Sequence, residues 1–255
     1  MATVNMITKG RERVRGKSVL LFSGGMDSVI FDKLLNPDIL LYIPTGPVYE
    51  EIETHKINQL VDEKFIDRDK LVCVPDVLNL VSFERDDAIV PNRNAFLMLV
   101  ASMYGETVYL GSVWGDRSTD KDETFYKHMK TLLDHMWQEQ HWTEERKFTI
   151  SSPYKSVTKT ELVREYLEKG YDPKAMIVSY SCYEGKEPVC GWCKPCFRKW
   201  VSLVNNNITI PEGYYVNNPA DAPWLPELLP SIKKGEYRGK EDADILNALN
   251  KSRIL

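Results

Sequence analysis

Ser18-Val19-Leu20-Leu21-Phe22-Ser23-Gly24-Gly25-Met26-Asp27-Ser28 is the stretch on which the fold turns. Its first five residues are a short apolar run, the pattern of a strand buried on both faces. Two glycines then let the backbone bend sharply and approach a ligand closely. Ser28 to Leu35 reads as a helix stopped by Asn36-Pro37. A turn of this kind at a helix N-terminus offers free N–H groups and the positive end of the helix dipole, which together hold an anion. Ser23 and Ser28 add hydroxyl groups. The Gly-Lys-Ser/Thr ending of a Walker loop is missing, and so is the dinucleotide fingerprint. Asp27 is the odd residue, because a carboxylate repels phosphate unless it holds a magnesium ion or meets a donor. The residues alone equally allow a serine–glycine turn in which Asp27 and Ser28 cap the helix.

Outward from this stretch, strand and helix alternate. Ile39 to Ile43 reads as a strand, Tyr49 to Phe65 as an acid-rich helix, and Leu71 to Val74 as a third strand before Pro75. Arg93 to Tyr104 is apolar nearly all round, which marks a buried helix. Thr107 to Leu110 is a fourth strand, and Glu123 to Gln140 a helix. This alternation predicts an α/β fold, a parallel sheet wound on both faces by helices. Ligands in such sheets sit at the carboxyl ends of the strands, where Ser23-Gly24-Gly25, Pro44-Thr45-Gly46 and Gly111-Ser112 lie. A second region begins near Phe148, with Thr158-Lys159-Thr160-Glu161 as a capping box for a helix ending at Gly170. From Asn205 onward the chain is proline-rich and reads as an extended tail packed on the body, with a final helix from Glu241 to Lys251.

Composition bounds the function. Over 255 residues, 43% are hydrophobic and 27% charged, which fits a folded soluble protein and not a disordered one. A net charge of −4 gives no bulk field for nucleic acid. Lys9, Arg11, Arg13, Arg15 and Lys17 stand against Glu12 and read as a solvated basic arm. No secretory leader is apparent and no run reaches the roughly 20 apolar residues of a membrane span, so a cytoplasmic protein is expected. The Asn207-Ile208-Thr209 sequon then has no meaning. His55, His128, His135 and His141 fall on polar helix faces, and none reads as catalytic.

Four of the five cysteines cluster. Cys182, Cys190, Cys193 and Cys196 are spaced C-x7-C-x2-C-x2-C, with Gly191 and Pro195 as turn formers. Thiolates on such a turn converge on a tetrahedron and leave no open position, which describes a structural zinc site. An iron–sulfur cluster is the rival reading. Cys73, inside a strand, reads as a core residue.

Ser-Gly-Gly-x-Asp-Ser after an apolar strand resembles the loop of the PP-loop ATPases, which split ATP to AMP and pyrophosphate while adenylating a substrate. With the cysteines, the sequence resembles one family in particular, the 7-cyano-7-deazaguanine synthases of the queuosine pathway. Ile89-Val90-Pro91-Asn92-Arg93-Asn94, Ser152-Pro153-Tyr154 with Thr158-Lys159, and Ser181-Cys182-Tyr183 with Cys190-Gly191-Trp192-Cys193-Lys194-Pro195-Cys196-Phe197-Arg198 are similar to its motifs. The resemblance covers roughly residues 18 to 203. It implies a doubly wound, adenine nucleotide alpha hydrolase-like sheet with a small zinc-binding helical subdomain. The expected division is a nucleotide-binding domain at 1–150, a capping helix and zinc subdomain at 151–204, and an added extension at 205–255.

The resemblance implies further that ATP, magnesium and ammonia convert 7-carboxy-7-deazaguanine to the nitrile through an acyl-adenylate. Ser23, Gly24, Gly25, Met26, Asp27 and Ser28 would hold the nucleotide, with Asp27, Lys159 and Arg93 as the charged groups of catalysis. Two loops depart from the family pattern, Tyr42 to Tyr49 and Gly115 to Asp122, so release at the 7-amido stage is the alternative outcome. Gly115-Asp116 keeps one carboxylate for the guanine-like ring. The expected partners are the deazaguanine and ammonia, with no direct nucleic acid and no membrane. A homodimer is left open. Two other functions compete: a PP-loop tRNA-modifying ligase, and a zinc-knuckle binding module on a degenerate nucleotide-binding scaffold. The intact loop speaks against the second.

Overall fold

The computed structural model describes residues 14–86, 89–116 and 118–254. Lys9, Arg11, Glu12 and Arg13 of the basic arm lie outside them, as does Arg117 of the departing loop. Five strands, β1 (Ser18–Leu21), β2 (Ile39–Tyr42), β3 (Leu71–Cys73), β4 (Thr107–Leu110) and β5 (Thr149–Ser151), form one sheet of order β3-β2-β1-β4-β5. Every pairing is parallel. Between them run α1 (Met26–Leu35), α2 (Glu50–Asp62), α3 (Arg93–Ala101) and α4 (Glu123–Met136).

Residue alternation shows why the sheet is covered on both faces. Leu20, Phe22, Leu40 and Tyr42 point to one side and pack with Val29, Ile30, Leu60 and Val61 of α1 and α2. Val19, Leu21, Ile39 and Leu41 point to the other and meet Met98 and Ala101 of α3 and Tyr126 and Met129 of α4. Side chains one residue apart on a strand project to opposite faces, so an uninterrupted apolar run must be buried twice. The doubly wound sheet is therefore as expected.

β5 was not expected as a strand. Thr149-Ile150-Ser151 is too short and too polar for its periodicity to stand out, and the edge position asks little of it. Beyond it come α5 (Lys159–Glu168), α6 (Lys174–Val178) and α7 (Lys194–Asn205). The Thr158 capping box forms with Glu161 as read.

The C-terminal tail is corrected in part. It packs on the body and ends in a helix as read, but the stretch before that helix is not all extended: α8 (Leu225–Lys233) forms there, and α8 and α9 (Glu241–Ile254) fold against α7 through Phe197, Trp200, Leu225, Ile232, Ile245 and Leu249. Pro226 sits in the first turn of α8, where its missing N–H is harmless. Proline there begins a helix and does not forbid one. Among the described residues no helix is long and apolar enough to cross a membrane.

Candidate active site

The carboxyl ends of β1, β2 and β4 open into a cavity of about 570 Å³. Its floor is the Ser23–Ser28 turn. Gly24 has φ of +66°, and a Cβ there would lie 2.6 Å from Ile57, so only glycine fits this corner. Gly25 is the N-cap of α1 and no side chain caps the helix. The capping alternative for Asp27 and Ser28 is thereby corrected: both lie inside the helix. The Ser28 hydroxyl donates to Gly25 O at 2.9 Å, and Gly25 N donates to Ser23 Oγ at 3.4 Å. Met26 lines the cavity, but it is 1% exposed and its sulfur accepts from Ser202 at 3.8 Å, so its side chain belongs to the core.

Asp27 turns instead to the chain's far half. Lys159 Nζ donates to both Asp27 carboxylate oxygens, across 132 residues of sequence. Lys159 is the first residue of α5, directly after the Thr158 cap, so the capping box fixes where its side chain starts. Asp27 is not a freely exposed group: its side chain is 24% exposed and Lys159's 12%. Asp27 and Lys159 both line the cavity.

Arg93, at the start of α3, donates through Nη1 to Tyr49 Oη at 2.7 Å. Burial would lower its pKa, but Tyr49 and Glu53 hold it above the ordinary value. Tyr49 stacks on Tyr183, with ring centroids 6.0 Å apart. Burial pushes the Glu53 carboxyl up to about 8, against the pull of Arg93 and Tyr42. Tyr49, Glu53 and Tyr183 line the cavity with no role assigned from sequence. Glu53 stood hidden among Glu50 and Glu51 in an acidic helix, and only packing singles it out. Tyr183 stood in a quoted motif.

Asp116 lines the same cavity. Its carboxylate is already engaged, taking Arg198 Nη1 at 2.6 Å and Val113 N at 3.2 Å. Arg198 also donates to Glu241 through Nε at 2.7 Å and Nη2 at 3.0 Å. Burial would raise the Asp116 pKa, but Lys121, Arg198 and Lys159 hold it well below the carboxylate range. Asp116 therefore anchors the loop at the cavity wall.

Beside the cavity the four cysteine Sγ atoms lie within 4.8 Å of one another. A tetrahedral zinc with Zn–S of about 2.3 Å needs sulfurs about 3.8 Å apart, so the set fits after a small contraction. Two backbone donors already point at the sulfurs: Glu184 N to Cys182 at 3.4 Å and Cys193 N to Cys190 at 3.3 Å. Such N–H···S contacts favour the thiolate a metal requires. Gly191 has φ of +84°, and a Cβ would lie 1.9 Å from Asn217 O. The module touches the turn directly, since Tyr180 N donates to Gly24 O at 3.1 Å. Lys199 fixes the same segment from α7, donating to Ser179 O at 2.6 Å and Tyr214 Oη at 2.7 Å. His55, His128, His135 and His141 are all exposed and away from the cavity lining.

Comparison with known proteins gives the family of the chain. The family model described as "Queuosine biosynthesis protein QueC" matches residues 48–207. The chain is 26% identical over 227 residues to 7-cyano-7-deazaguanine synthase 1 of Colwellia psychrerythraea, covering 78% of this chain and 98% of the relative. It is 25% identical over 227 residues to 7-cyano-7-deazaguanine synthase of Psychromonas ingrahamii, with 78% and 97% covered. A third relative, 7-cyano-7-deazaguanine synthase of Marinobacter nauticus, is 24% identical over 222 residues, with 77% and 96% covered.

Proposed function

The chain belongs to the family of the queuosine biosynthesis protein QueC, and from that premise we propose that it converts 7-carboxy-7-deazaguanine to 7-cyano-7-deazaguanine with ATP and ammonia. The observation that carries this is the Lys159–Asp27 pair beside the uncapped start of α1, in one cavity with Arg93. An anion turn, a carboxylate and two cations around it suit a reaction in which pyrophosphate leaves an attacked phosphate.

A carboxylate oxygen of the acid attacks the α-phosphorus of ATP, and pyrophosphate departs. Ammonia attacks the acyl carbon, AMP leaves, and a proton is released to give the amide. The amide oxygen then attacks a second ATP, pyrophosphate departs, and loss of AMP and protons leaves the nitrile. The Ser23–Ser28 turn receives the departing phosphates through its backbone N–H groups. Lys159 offsets their charge. Arg93 holds the carboxylate toward the nucleotide, its own position set by Tyr49. A magnesium ion, which takes one or two carboxylates and otherwise phosphates and water, would be held by Asp27 and would neutralise pyrophosphate. Zinc would be held by Cys182, Cys190, Cys193 and Cys196 in a purely structural role.

In this reading the nucleotide and the deazaguanine bind to the protein in the cytoplasm, with no membrane and no direct nucleic-acid contact. The test is mass spectrometry of the product from the acid, ATP, magnesium and ammonia. The nitrile mass is expected. The amide as sole end product would place the departing Gly115–Asp122 loop as the cause of early release. The unreacted acid would overturn the proposal.

A further inference from the structure

The turn between α8 and α9 lies beyond residue 207, where the family match ends, yet it forms part of the cavity wall. It is built to stay there. Asp242 accepts the backbone N–H of Tyr237 and of Arg238 at 3.0 Å. Trp114 Nε1 donates to Arg238 O at 2.8 Å, and Arg238 Nη1 donates to Gly115 O. A Cβ on Gly115 would lie 1.9 Å from Glu241, so the cavity loop and the C-terminal helix are fitted to each other.

The charges on this wall do not cancel in the same way. Arg198 is matched by Asp116 and Glu241. Asp120 is engaged by Asn94 at 2.8 Å and by Ser118. Arg238 and Lys194 both line the cavity, and among the described residues no carboxylate lies within ion-pairing distance of either. They flank one ring: the Arg238 guanidinium carbon is 5.1 Å and Lys194 Nζ 5.8 Å from the centre of Tyr237. Lys194 Nζ also sits 3.2 Å from the centre of Trp224, so aromatic faces hold it in place. Lys194 also hydrogen-bonds to the side chain of Tyr237, and Glu227 acts on it electrostatically without an ion pair. Two neighbouring cations without a counter-charge, fixed by aromatic rings and facing a cavity, form a receptor for an oxyanion.

We propose that Arg238 and Lys194 form a cationic cradle that binds an oxyanion group of a reactant, so that the C-terminal segment completes the active site. The proposal rests on the adenylation reading, in which the oxyanion is either a phosphate of ATP or the carboxylate of the deazaguanine acid. Arg238 keeps four N–H donors beyond the one given to Gly115, enough for a bidentate contact.

Calorimetric titration of the full-length protein tests it with two probes, 7-carboxy-7-deazaguanine and an ATP analogue with a methylene between the α- and β-phosphates. R238Q should weaken one probe about tenfold or more, as expected for loss of a charge-assisted pair, and the affected probe identifies the source of the oxyanion. K194Q, which keeps the bond to Gly115, should weaken the same probe, and R238K, which keeps the charge but loses the two-pronged contact, should fall between R238Q and the wild type. If the wild type binds both probes and R238Q and K194Q match it, the cradle is wrong while the adenylation reading stands. If the wild type binds neither probe, the adenylation reading fails and the cradle falls with it.

Discussion

At the scale of single residues, the site depends on charges held in pairs. Asp27 and Lys159 are joined in the folded chain, so removing either leaves its partner without a counter-charge beside the Ser23–Ser28 turn. Asp27→Asn and Lys159→Gln should each lower acid-dependent AMP formation by about 100-fold or more, and the double variant should lose little beyond that, since groups acting as a unit are not additive. Steady-state rates of AMP release check this; near-normal turnover in folded Asp27→Asn would contradict it. Glu53 makes a pH prediction. Its carboxyl is pushed up to about 8 in the fold from 4.5 in the open chain. Between those values the folded chain holds a proton that the unfolded chain has released, so stability falls as pH rises through that window. Melting temperatures measured from about pH 5 to 8 should decline less steeply in Glu53→Gln than in the wild type, and parallel curves would refute the assignment. That Asp27, Arg93 and Lys159 would share a cavity was legible in the sequence because each stands in a motif. Glu53 was not, because a carboxylate buried by tertiary packing looks in sequence like any acid on a helix face.

At the scale of elements, the two functional modules are set by turns that only glycine can make and by one helix cap. Gly191 combines φ of +84° with contact against Asn217 O, so Gly191→Ala must displace the 217 segment or distort the cysteine turn. That variant should bind less than one metal per chain and melt earlier, by elemental analysis and thermal denaturation; full zinc content would show that the turn tolerates a side chain. Folding and metal binding are coupled in sites of this kind. Thr158→Ala removes half of the capping box, at about 1 kcal/mol. Because Lys159 is the next residue, the loss should also reach catalysis, with a lower kcat at little change in melting temperature. The capping box, the cysteine turn and β1 to β4 could be read locally because each carries its own chemistry. β5 could not, since a three-residue edge strand is defined by pairing with β4 and hardly by its own residues. The tail misled in part for a similar reason: its prolines suggested extension where α8 forms, while the apolar residues that fold α8 have meaning only against α7 and the final helix.

For the whole molecule, the sheet supplies the Ser23–Ser28 turn and later chain segments close the cavity over it. α5 brings Lys159, the cysteine module brings Tyr180 against Gly24, and α9 brings Glu241 against Arg198. Arg198 lies between Asp116 and Glu241 with its side chain 12% exposed. Arg198→Met would leave two buried carboxylates without their partner, and loss of one member of such a buried set costs about 3–5 kcal/mol. Denaturant unfolding should show that loss, and an unchanged midpoint would mean the triad is not holding the C-terminal helices to the loop. The fold class was legible because alternation of strand and helix is a long-range pattern repeated many times. The closing of the cavity was not, because it joins residues more than 80 positions apart, such as Asp116 and Arg198, whose only link is their charge in the folded chain. The central claim is that these parts together adenylate a deazaguanine acid. The most direct measurement is nucleotide analysis of the protein incubated with ATP, magnesium and 7-carboxy-7-deazaguanine, with and without ammonia. The account predicts AMP and pyrophosphate only when the acid is present, sustained by ammonia and absent in Asp27→Asn; ATP left intact, or cleaved to ADP and phosphate, would contradict it.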